Sequence, residues 1–283
     1  MPVVRLKPRF VERVWGSEHL GPWFNVPPGF QNTGAKIGEV WFEGSGDLPL
    51  LVKFLFTSGK LSVQVHPDDA YAAQHHNSLG KTEMWHVLAA EPGAQIAAGF
   101  REPVSADRLR AAALSGEIEE LLAWHDARPG DTFFIPAGTV HAIGAGLTLC
   151  EIQQLSDVTY RLYDYGRPRE LHLDQSLAVS HLGPHSARVK PEGMVLVSCE
   201  HFTVARYECS GKIEFHRGAD GLGVPDVLIV IEGEGHVGGA LAHCGEAWYA
   251  APGTSPFEVT GRLTLLGAWV LPKSPMRNPG NRS

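Results

Sequence analysis

Cysteine is scarce in this chain of 283 residues: there are four, Cys150, Cys199, Cys209 and Cys244, and no Cys-x-x-Cys pair. A zinc knuckle or a dithiol redox motif is thereby excluded, and buried free thiols are expected. Long apolar runs are also missing. The opening stretch MPVVRLKPRFVERVWG holds no signal-length apolar segment and no later stretch could span a bilayer, so a cytoplasmic protein without a membrane partner is expected. Basic runs are absent and the net charge is -7. A nucleic-acid surface is therefore not expected, and an anionic ligand would have to be met by a few locally placed cations rather than by the overall field.

Turns and short strands fill the space. With 32 Gly, 20 Pro and many brief Val, Ile, Phe and Trp runs, the chain reads as all-β, either one large domain or two smaller ones. One helical patch interrupts it, PVSADRLRAAALSGEIEELLAWH from Pro103 to about residue 124, with Ser105 as N-cap and a break at Ser115-Gly116 that makes two short helices. We take it as a packing insert. The strand-like run LPLLVKFLF carries a single charge, Lys53, which must either snorkel to water or face a polar site.

Metal-type chemistry concentrates between Leu61 and Leu88. In an extended strand Gln64 and His66 project from one face while Val63 and Val65 point to the other, and a second strand-like run opens with Glu83. His141 opens a third after the turn signal Pro136-Ala137-Gly138. Two imidazoles, a carboxylate and an amide oxygen suit a divalent transition metal, zinc first. Gln-x-His alone also fits two polar residues on a wet sheet face; it is the combination that points to a metal. His75 and His76 are read as solvated loop histidines, His86 as facing away from Glu83, and Asp68 and Asp69 as turn formers.

The two halves of the chain share a pattern. GDTFFIPAGTVHAI from Gly130 aligns without a gap on GEAWYAAPGTSPFEV from Gly245, setting His141 opposite Pro256, and a register anchored on Gly93 and Gly235 sets Glu83 opposite Pro225. The C-terminal unit then reads as a structural copy without a metal site.

Carried by VWG at Val14, GEVW at Gly38, PLLVKFL at Pro49, LSVQVHPDD at Leu61, GKTEMWHVL at Gly80, PGDTFFIPAGTVHAI at Pro129 and SDVTYRLYDYGR at Ser156, the chain resembles the type I phosphomannose isomerases, strongly over residues 4 to 180 and weakly beyond. The resemblance implies two cupin, or jelly-roll, β-barrels with a small helical insert. An N-terminal metal-binding unit would span residues 1–185 and a degenerate unit without metal residues 190–283. It implies one Zn2+ per chain on Gln64, His66, Glu83 and His141, catalytic positions at Lys81, Asp157 and Arg161, and a substrate pocket lined by Ser62 and Lys53. The larger members carry a long helical domain that this chain lacks, so it is similar to the short bacterial form, acting as a monomer or weak homodimer.

The implied reaction interconverts mannose 6-phosphate and fructose 6-phosphate by proton transfer between C1 and C2 through a cis-enediol. Which residue moves the proton stays open, and a desolvated Lys81 with a lowered pKa is one candidate. In SDVTYRLYDYGR, alternation puts Thr159, Arg161 and Tyr163 on one face and Tyr160 and Leu162 on the other, which lets Arg161 face a polar cavity. Two other readings compete. A non-haem Fe(II) oxygenase would share two histidines and a carboxylate, although Gln64 would take a position that oxygen needs. A non-catalytic sugar-binding cupin would not need Lys81, Asp157 and Arg161 beside the ligands.

Overall fold

The computed structural model describes residues 3–44, 48–216 and 223–270. Alternation in the strands builds four layers. A six-stranded sheet (strands Lys7–Ser17, Ile37–Glu43, Leu50–Thr57, Leu147–Gln154, Glu83–Ala90 and Thr132–Ile135) lies against a five-stranded sheet of Tyr160–Tyr163, Val63–Val65, His141–Ile143, Gln95–Phe100 and Leu122–Asp126. Leu55, Trp85, Val87 and Leu149 from the first sheet and Ile96, Ala98 and Ile143 from the second pack between them as one core. The expected N-terminal barrel is thus a pair of facing sheets and the C-terminal one a single seven-stranded sheet, none of the three closed on itself.

Strand Leu50–Thr57 in the middle of the six-stranded sheet is buried on both faces, which is why LPLLVKFLF is apolar almost throughout. Phe54, Phe56, Met84 and Ile152 point away from the inner core and pack on Val204, Val227, Ile229 and Leu266 of a seven-stranded sheet built mainly from residues 195–270. One strand of that sheet comes from the far end of the chain: Val4–Arg5 pairs with Ala247–Tyr249. Arg5 fixes the join by an ion pair to Glu246 at 2.9 Å and by lying over the Trp248 ring.

On the outer face of the five-stranded sheet, Val63, Val65, Ala142 and Leu162 pack under helices Ala106–Ser115, Ile118–Leu121 and Leu173–Val179. The expected insert forms as two helices: the Ser105 side chain accepts from Arg108 N–H, and Gly116 ends the first at φ 88°, a left-handed conformation that suits glycine. Among the described residues no helix is long and apolar enough to cross a membrane.

Two expectations need correction. His75 and His76 belong to helix Asp69–His76, capped by Asp68, whose carboxylate accepts from Tyr71 N–H at 2.8 Å. A capped polar helix here shows no apolar stripe for a sequence reading to find. The alignment of the halves also shifts. Gly130 and Gly245 donate equivalent bonds to Val87 O and Val230 O, each at 2.8 Å, and the turns closed by Thr139 and Thr254 match. His141 therefore does fall opposite Pro256. Gly93 occupies a turn whereas Gly235 lies inside strand Val227–Val237, so the counterpart of Glu83 is Asp226 rather than Pro225.

Candidate metal centre and active-site cavity

Strand register assembles the site as two rows of side chains facing each other across the inner core. In the five-stranded sheet Arg161 pairs with Gln64, Gln64 with His141 and His141 with Ala98. In the six-stranded sheet the row runs Arg9, Trp41, Lys53, Glu151, Trp85, Phe133. Cross-strand neighbours on one face sit about 5 Å apart, so each row brings distant sequence into contact.

Glu83 enters from the six-stranded sheet to meet the histidines. Its Oε1 lies 3.6 Å from His66 Nε2 and 3.4 Å from His141 Nε2, and all three residues are fully or almost fully buried. The Gln64 amide lies 3.2 Å from His141 Nε2, and a half-turn of that amide presents its oxygen. These three separations are close to the edge of a tetrahedron with bonds of about 2.1 Å, which is about 3.4 Å. The outer ring nitrogens are already committed, His66 Nδ1 to Val158 O at 3.0 Å and His141 Nδ1 to Thr139 O at 2.9 Å, which turns both Nε2 lone pairs inward. Neither Glu83 oxygen has a well-directed hydrogen bond, although it is buried. An acceptor-only cluster of this kind, His66, Glu83 and His141 with Gln64 beside it, fits a divalent cation.

Lys81 supplies positive charge at the same place. Its Nζ is 2.8 Å from Glu83 Oε2 and 2.9 Å from His66 Nε2. Burial works to raise the Glu83 carboxyl, but Lys81, then His66 and His141, overcome it and hold the group well below the usual carboxylate range. Burial pushes the His66 imidazole down to about 3, with Lys81 adding to the effect, and lowers His141 as well. Burial opposes the charge on Lys81, yet Glu83 and Glu151 keep its pKa above the ordinary value. Desolvation alone therefore does not lower Lys81, because its nearest neighbour is an ionised carboxylate.

Above the donors lies a cavity of about 360 Å³, lined among others by Ser62, Gln64, Lys81, Lys53, Asp157 and Arg161. Ser62 Oγ donates to Gln64 Oε1 at 3.3 Å. Lys53 does not snorkel. It is 4% exposed, bonds to Glu151 at 2.8 Å and Gln153 at 2.7 Å, and lies 4.6 Å from the Trp41 ring centre. Asp157 and Arg161 stand at the rim, where Asp157 is exposed, rather than against the metal cluster. A bulge between Arg161 and Tyr163 also corrects the expected facing of Tyr163, which packs towards the helices.

Sequence reasoning missed Glu151, Trp41, the Arg13–Glu39 pair at 2.7 Å, and Arg169, all of them in the cavity wall. One signal was available for Glu151: an acid inside the apolar strand LTLCEIQQ needs a buried cation, and Lys53 is the charge inside LPLLVKFLF. Among the described residues every cation of the wall except Arg161 has a carboxylate partner: Arg13 with Glu39, Lys53 with Glu151, Lys81 with Glu83, Arg169 with Asp164. Arg161 donates to Glu170 O at 2.7 Å and keeps a buried Nε without a partner.

Residues 30–85 match the family model of the phosphomannose isomerase type I catalytic domain. The mannose-6-phosphate isomerase of Streptococcus mutans is 41% identical over 208 residues, covering 68% of this chain and 64% of that protein. Mannose-6-phosphate isomerase ManA of Bacillus subtilis is 36% identical over 277 residues, covering 82% of this chain and 86% of the relative. A crystal structure of mannose 6-phosphate isomerase from Bacillus subtilis superposes with a TM-score of 0.78 at 27% identity, covering 95% of this chain and 99% of that one.

Proposed function

The chain belongs to the type I phosphomannose isomerase family, and from that membership we propose that it interconverts mannose 6-phosphate and fructose 6-phosphate using one zinc ion per chain. The observation that carries the metal half of this reading is Glu83, a buried carboxylate without a well-directed hydrogen bond, flanked by two inward-facing imidazole nitrogens. Gln64, His66, Glu83 and His141 would hold the ion. When bound, zinc would supply Lewis-acid stabilisation of negative charge on the sugar oxygens.

The protein's own groups would hold and polarise the sugar. A proton on carbon next to a carbonyl is weakly acidic, so its transfer from C2 to C1 requires that the cis-enediolate be stabilised as it forms. Lys81, held protonated by its carboxylate neighbours, is suited to donate a proton to a sugar oxygen. Lys53 and Glu151 sit side by side on the facing wall, where the ammonium would bond sugar hydroxyls and the carboxylate would fix it. Ser62 and Asp157 would orient the sugar. Arg161, the wall cation with no carboxylate partner among the described residues, would meet the enediolate. Arg169 beside it, aligned by Asp164 at 2.7 Å, would meet the phosphate at the rim.

The division of labour belongs to the same proposal: residues from about 190 onward would stabilise the N-terminal unit by covering the outer face of its six-stranded sheet and would contribute no catalytic group. A coupled assay tests the activity. Mannose 6-phosphate should yield fructose 6-phosphate at the same rate with and without oxygen; no product, or a rate that depends on oxygen, would remove this reading.

A further inference from the structure

Arg161 lies on Tyr160–Tyr163, the outermost strand of the five-stranded sheet, so among the described residues one edge of its backbone has no next strand to pair with. The chain solves this nine to eleven residues later. His172 N–H donates to Arg161 O at 2.8 Å, and Arg161 N–H donates to His172 Nδ1 at 3.1 Å, so the imidazole takes the place of a neighbouring strand's carbonyl. Glu170 O takes a third bond, from the Arg161 guanidinium at 2.7 Å. His172 is itself held, because it caps helix Leu173–Val179, whose Leu173 and Leu177 pack on the sheet's outer core.

We propose that His172 is a positioning residue for Arg161, gripping both its backbone N–H and its C=O at the sheet edge so that the guanidinium is held at the cavity wall. The proposal rests on the isomerase reading for its kinetic consequence. The acceptor role needs an unprotonated Nδ1; burial, then the charge of Arg161, lowers the His172 pKa and favours that state. A displacement of about 1 Å in a positioned group can cost on the order of a hundredfold in rate. His172 is itself neither a candidate metal donor nor a residue of the cavity lining, so its contribution acts through Arg161.

The experiment compares His172→Leu, which removes the acceptor, with His172→Asn, whose Oδ1 occupies nearly the same position as Nδ1. With metal content and unfolding midpoint measured alongside, the leucine variant should lose about tenfold or more in kcat/KM, through the same parameter that Arg161→Ala lowers. The asparagine variant should recover most of it. In an Arg161→Ala background, His172→Leu should change kcat/KM by less than about twofold, because the group it positions is gone. A full penalty persisting in that background, or unchanged kinetics in the leucine variant, would overturn the proposal. Amide hydrogen exchange at Arg161 reads the grip without turnover: slow in the wild type and in His172→Asn, fast in His172→Leu. Inactivity of the wild type would count against the isomerase reading, and the exchange result would still decide the grip.

Discussion

Replacing Glu151 with Gln tests the buried wall of the cavity. The substitution keeps the volume and leaves an oxygen for Trp85 Nε1, which donates to Glu151 at 2.9 Å, but it strips Lys53 of its counter-charge. Breaking one side of a buried ion pair costs about 3–5 kcal/mol. Lys53 would retain the Gln153 oxygen at 2.7 Å and the Trp41 face, and it borders the cavity, so the lower end applies, about 3 kcal/mol. For a chain of this size that corresponds to a fall in Tm of roughly 6–12 °C. Thermal and urea unfolding of Glu151→Gln, Lys53→Met and the double variant should give a double-mutant cycle with a coupling of about 2 kcal/mol or more, the double variant recovering much of the loss. Additive single effects, or a Tm within a degree of wild type for Glu151→Gln, would refute the pairing as a source of stability. Both single variants should also be nearly inactive, because the ammonium would lose its place against the sugar.

Three further outcomes are expected. His66→Ala and His141→Ala should lose the metal by elemental analysis whereas His75→Ala and His76→Ala keep it; metal loss from the His76 variant would break the ligand assignment. Arg161→Ala should fold and hold metal but lose about two powers of ten in kcat, or roughly 3 kcal/mol, with a smaller effect on KM, and Arg161→Lys should recover little; an increase in KM alone would move Arg161 to the phosphate. Burial, then Arg206, pushes the His86 imidazole down to about 4 from its ordinary 6.5, so between those values the unfolded chain binds the extra proton and stability falls as pH falls. That residue alone should cost about 2 kcal/mol between pH 7.5 and pH 5, a slope that urea unfolding of His86→Asn should show reduced by the same amount.

Much of the inner face was legible because strand alternation is strict. Gln64 and His66 alternate with Val63 and Val65, and Glu83, Trp85 and Val87 alternate with Met84 and His86, so donor type and facing could be read together. What alternation cannot supply is register. Lys53 and Glu151 are 98 residues apart and become neighbours only because their two strands pair in one of several possible alignments. The same holds for Arg13 with Glu39 and for the grip of His172 on Arg161. Helix Asp69–His76 escaped for another reason: it buries only Ala72, so it leaves no apolar period in the sequence, and its Asp68 cap looks like a turn. The shift of the C-terminal counterpart of Glu83 to Asp226 came from anchoring on a glycine that sits in a strand, where composition alone cannot tell it from a turn glycine.

Stoichiometric reconstitution puts the metal-dependent isomerase to its most direct test. Protein stripped with a chelator should show no turnover of mannose 6-phosphate. Activity should then return in proportion to added zinc and level off at one ion per chain, since His66, Glu83 and His141 form one cluster and Pro256 stands opposite His141 in the second unit. A break at two ions per chain, or full turnover by the stripped protein, would contradict it.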